Sequence, residues 1–136
     1  MAATYSSFMA TRFYNPIFNT ALFDGPIRIY FSKNYESVAL KIYHLLQTEY
    51  LEQWNQLRES SLKFKDHIFL MMYSDKNELH TVFSEKTQLI QSQEWEEGLA
   101  IGFCQPQDDV ELVYQLEAIT KLMASWLEKQ NCEVSL

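Results

Sequence analysis

Three histidines and two cysteines are the residues of this 136-residue chain with most to offer metal binding or nucleophilic chemistry. His44 has no histidine or cysteine three or four positions further on, so no ligand pair shares one side of a helix with it. His67 and His80 are expected to face each other loosely across a hairpin, which makes half a metal site. Their ordinary reading is polar residues at strand ends. Cys104 closes a strand just before Pro106. A reactive cysteine needs a base within reach and a positive surrounding. Here the next charges are Asp108 and Asp109, which push a thiol pKa up, so Cys104 reads as a small core residue. Neither Cys104 nor Cys132 belongs to a C-x-x-C pair.

Two acidic groupings have a claim on chemistry. Asp108 and Asp109 resemble a carboxylate pair, but both precede a helix, where free N–H groups and the dipole favour negative charge. Capping accounts for them. In Glu94-Trp95-Glu96-Glu97 an aromatic stands among acids, as a recognition knob for a basic partner would. The reading preferred here is a tryptophan whose ring covers the edge of the core. There is no G-x-G-x-x-G, phosphate-binding loop or G-x-S-x-G, and the whole chain has three glycines. No catalytic, cofactor-binding or metal-binding residue is assigned, and a non-enzymatic protein is expected.

The elements that position these residues belong to one domain by length, residues 1–136. With 47% apolar and 15% aromatic residues the chain can bury a core without metal or disulfide. A formal charge of −7 excludes the basic face of a nucleic-acid binder and disfavours an anionic membrane surface. The densest basic stretch, Lys63-Phe64-Lys65-Asp66-His67, is short and diluted. No apolar run approaches the roughly 18 residues that span a bilayer. The first residues lack the basic region and apolar run of a signal peptide, so a reduced, cytoplasmic protein without membrane insertion is expected.

Residues 1–14 read as a short helix or a flexible arm. Ile17 to Phe23 and Ile27 to Ser32 flank Asp24-Gly25-Pro26, a strong hairpin signal. Ile27, Ile29 and Phe31 share one face of the second strand. Ser32 or Asn34 caps a helix expected from about Tyr35 to about Arg58. That helix carries two apolar stripes, Val38, Ile42, Leu45 and Leu46, then Tyr43, Tyr50, Trp54 and Leu57. Together they span about half its circumference, more than one sheet covers. Glu49 interrupts the arc, so a bend near Thr48 also fits.

His67 to Tyr73 is apolar on both faces. Ser74-Asp75-Lys76-Asn77 reads as a turn, with Glu78 to Phe83 returning as the second strand of a hairpin. The polar stretch from Ser84 to Glu97 reads as a connecting loop with local helix. In Leu99 to Cys104 large residues alternate with Ala100, Gly102 and Cys104, so a helix can lie close over the small face. Asp108 caps a last helix, with Glu111 at capping-box spacing. Its stripe is Leu112, Leu116, Ile119, Met123, Trp126 and Leu127, with Glu117 and Lys121 on the opposite face, and it is expected to stop near Asn131.

The fold class is α+β: a five-stranded, mainly antiparallel sheet with a long helix after the second strand and a C-terminal helix. This element order, over about Ile17 to Gln130, resembles the roadblock and longin families of small adaptor modules. The resemblance is carried by the hairpins at Asp24-Gly25 and Asp75-Lys76-Asn77, the helices from Tyr35 and Val110, and the strand from Leu99. It implies a sandwich that dimerises and engages small GTPases or trafficking partners. The expected function is therefore a protein-interaction module, a homodimeric scaffold or regulator of another protein. Partner contacts are expected at Tyr43, Tyr50, Trp54, Ile68, Leu70, Met72 and Trp95, because the long helix and an exposed edge at His67 to Tyr73 carry surplus apolar surface. Two other classes compete: a sensor of PAS or GAF type with a ligand in an aromatic pocket, and an acidic secretion chaperone.

Overall fold

The computed structural model describes residues 18–25, 27–64, 67–83, 90–95 and 98–135, without the side chains of 60–64, 67, 81, 95 and 131–135. Expectations for residues 1–14, for the strand start at Ile17, for Glu96 and Glu97 and for the side chains of His67, Trp95 and Cys132 lie outside that set. Strands β1 (Thr20–Asp24) and β2 (Ile27–Phe31) form the anticipated antiparallel hairpin, turning at Gly25 with φ of 60°. A short 3-10 turn, Lys33–Tyr35, follows, with the Ser32 hydroxyl accepting from Asn34 N–H. Helices α1 (Glu36–Glu49) and α2 (Leu51–Phe64) lead to β3 (His67–Tyr73). Then come α3 (Lys76–Val82), β4 (Ile90–Trp95), β5 (Gly98–Cys104) and α4 (Asp109–Ser135).

The sheet runs β1-β2-β3-β5-β4 and is mixed, not mainly antiparallel. β2 with β3 and β3 with β5 are parallel, while β1 with β2 and β4 with β5 are antiparallel. Parallel neighbours need a crossover connection, and α1 with α2 supplies one between β2 and β3. The antiparallel sandwich implied by the roadblock resemblance is therefore not the sheet that forms.

β3 lies in the middle of the sheet, not at an edge. Ile68, Leu70 and Met72 join Ile27, Ile29, Phe31, Leu99, Ile101 and Phe103 in one core beneath α1, α2 and α4. Phe69, Met71 and Tyr73 join Phe18, Tyr30, Ala100 and Cys104 in a second core under Leu79 and Phe83. A strand covered on both faces carries apolar residues on both, which is the pattern in His67 to Tyr73. As anticipated, the small face of β5 receives a close neighbour. A Cβ at Gly102 would collide with the Phe83 ring and meet Leu79 Cδ1 at 3.0 Å.

The expected long helix is broken into two helices, close to the bend that Glu49 allowed near Thr48. Tyr50, at φ −127° and ψ 37°, separates them, and Trp54 N–H donates to the Tyr50 carbonyl to start α2. This break accounts for the wide apolar arc. It re-aims the axis so that Ala39, Ile42 and Leu46 from α1 and Trp54 and Leu57 from α2 all reach the same core.

The second expected hairpin is a strand followed by a helix. Asp75 Oδ1 accepts from Glu78 N–H at 2.9 Å and Glu78 Oε2 accepts from Ser74 N–H at 3.0 Å, which caps α3 where a turn was expected. The expected loop contains β4, an edge strand. In α4 the whole predicted stripe is buried, and Asp108 Oδ1 accepts from Glu111 N–H at 2.8 Å. The helix continues past Asn131 to Ser135.

Candidate functional site

β3 and β5 are parallel neighbours whose next elements leave on opposite faces of the sheet. α3 turns toward the core of Tyr73 and Phe83, and α4 toward the core of Leu70 and Phe103. Two adjacent strands with diverging exits leave a crevice beyond their carboxyl ends, the usual ligand position in open sheets with parallel strands. A cavity of about 520 Å³ occupies that place. Ser74, Asp75, Lys76 and Asn77 line it from the β3–α3 connection, and Cys104, Gln105, Gln107 and Glu111 from β5 and the start of α4.

The crevice walls are held by their own hydrogen bonds. Gln105 N–H donates to the Tyr73 carbonyl at 3.0 Å, extending the ladder one residue past β5. Gln107 Nε2 donates to the Gln105 carbonyl. Behind this wall Gln115, 2% exposed, donates through Nε2 to the Cys104 carbonyl at 2.8 Å, with Glu111 Oε1 at 3.5 Å, and its Oε1 has no hydrogen-bond partner.

Burial, and then the charges of Asp75, Glu111 and Glu78 against the opposing Lys76, push the Cys104 thiol up to about 11. The thiol is therefore protonated at neutral pH and is no nucleophile there. Tyr73 is raised as well, by burial and by Glu78. Among the described residues no group of three histidine, cysteine or carboxylate side chains can hold a metal. His44 is exposed on α1 and His80 half-buried on α3.

A second polar convergence lies at the β1–β2 turn. Asp24 Oδ2 accepts from Trp54 Nε1 at 2.9 Å, Tyr43 OH at 3.2 Å and Gln47 Nε2 at 3.3 Å, and Arg58 Nε lies 3.4 Å from Oδ1. Burial and the Asp24 charge raise the Tyr43 phenol. With the donors drawn from both α1 and α2, this network ties the hairpin to both sides of the Tyr50 break.

The expected partner residues do not form one surface. Ile68, Leu70 and Met72 are buried in the chain's own core because β3 is central, and Trp54 is buried at 2% exposure because the break turns α2 inward. Tyr43 and Tyr50 are half-buried and pack against that core. Exposed large apolar side chains stand singly at Phe23 on β1, Leu40 on α1 and Leu51 on α2, and three occur together on α4, credited from sequence with a single stripe. Val110, Val113 and Tyr114 are 81%, 52% and 61% exposed on its outer side. Their i, i+3, i+4 spacing was the available signal. The crevice had no such signal, since its two walls are about 30 residues apart in the chain and meet only through strand pairing.

No family model, curated protein or solved structure matches this chain.

Proposed function

We propose that this chain is a non-enzymatic protein-interaction module that receives a basic, apolar segment of another protein on the outer face of the first turns of α4. The observation that carries the reading is the exposure of Val110, Val113 and Tyr114. An outward helix face is normally polar, and this one becomes so further along, at Glu117, Lys121 and Glu128. Valine is also a weaker helix former than the straight-chain residues. Neither packing nor propensity explains two exposed valines beside an exposed tyrosine, whereas a docking helix or strand uses such anchors.

Charge selects the partner. Asp108, Asp109 and Glu117 flank the ridge, and Lys41 is engaged with Asp109 at 3.5 Å. A second copy would bring the same carboxylates to a self-contact, within a chain of net charge −7. The edge argument for a homodimer falls with the central position of β3.

A photo-crosslinking residue at Val113, compared with one at Glu128 on the polar continuation of the same face, tests the reading in cells of the native organism. The expected product, seen only from Val113, is a basic protein whose purified form binds at least about tenfold more weakly to Val113→Asp, as for loss of an interface anchor. The melting temperature of that variant should be unchanged. Crosslinking to a second copy of the chain, or binding that survives Val113→Asp, overturns it.

A further inference from the structure

We draw no further inference here: the strongest candidate, the Arg28 guanidinium over the Phe23 and Phe69 rings on the sheet face away from α1 and α2, has buried Nε and Nη1 groups without a hydrogen-bond partner among the described residues, and nothing in the structure shows what covers them.

Discussion

Trp54 Nε1 donates to Asp24 Oδ2 at 2.9 Å, joining the β1–β2 turn to a helix 30 residues further along the chain. The same oxygen takes Tyr43 and Gln47 from α1. One carboxylate therefore fixes the angle between α1 and α2. Asp24→Ala should leave three donors without their acceptor and Arg58 without its ion-pair partner, at a cost of about 2–4 kcal/mol in chemical denaturation. Asp24→Asn keeps one oxygen and should cost less. An alanine variant as stable as the parent would show that water replaces the carboxylate.

The central place of β3 and the inward turn of α2 separate two neighbouring aromatics. Trp54→Glu should unfold the chain, because it places a charge in a core where the ring is 2% exposed. Tyr50→Glu, at a half-buried position, should leave a folded protein. Circular dichroism melts distinguish them. A folded Trp54→Glu variant would return this side chain to the surface.

Gly102 admits no side chain without movement of α3. Gly102→Ala should cost about 1–3 kcal/mol, as overpacking does. The loss should shrink in the double variant with Phe83→Leu, since the Phe83 ring is the group a new Cβ meets first. Additive losses in that double-mutant cycle would mean that the two residues do not compete for the same space.

Cys104 gives the stability a dependence on alkaline pH. Its thiol titrates near 11 in the folded chain, against an ordinary value of 9.0. Between these values the unfolded chain has released the proton and the folded chain still holds it. Its contribution to stability is therefore full below about pH 9 and falls as pH rises toward about 11. In a Cys132→Ser background, Cys104→Ala should flatten that part of the stability profile. Thiol reagents should modify Cys104 slowly at neutral pH and quickly after denaturation. Rapid labelling of the folded protein would contradict the burial and field assigned to it.

Local signals carried part of this architecture. Asp-Gly between two apolar runs needs no distant contact to specify a turn, so β1 and β2 were legible. The stripe from Leu112 to Leu127 was legible because six apolar residues at helical spacing have one reading. The alternation of large and small residues in β5 foretold a close neighbour over Gly102, without saying which.

Other parts rested on signals that point two ways. Leu79, Thr81 and Phe83 alternate like a strand, but Leu79 and Phe83 are also four apart, as on a helix. Asp75 and Glu78 have the spacing of Asp108 and Glu111, and the two pairs cap α3 and α4 in the same way at the N–H three residues on. Over seven residues, periodicity alone cannot choose between the two templates. What chose was the core, where a helix lays Leu79 and Phe83 against Phe69, Tyr73 and Ala100.

Strand pairing belongs wholly to the tertiary structure. The apolar run of β3 states that both its faces are buried, and says nothing of whether β2 and β5 or a second chain lies beside it. Backbone hydrogen bonds across a sheet are the same for every residue type, so direction and neighbour are decided by crossover lengths and by what covers each face. The crevice follows from that decision alone. Its residues are ordinary polar ones in sequence, and they face each other only because β3 and β5 run parallel and their exits diverge.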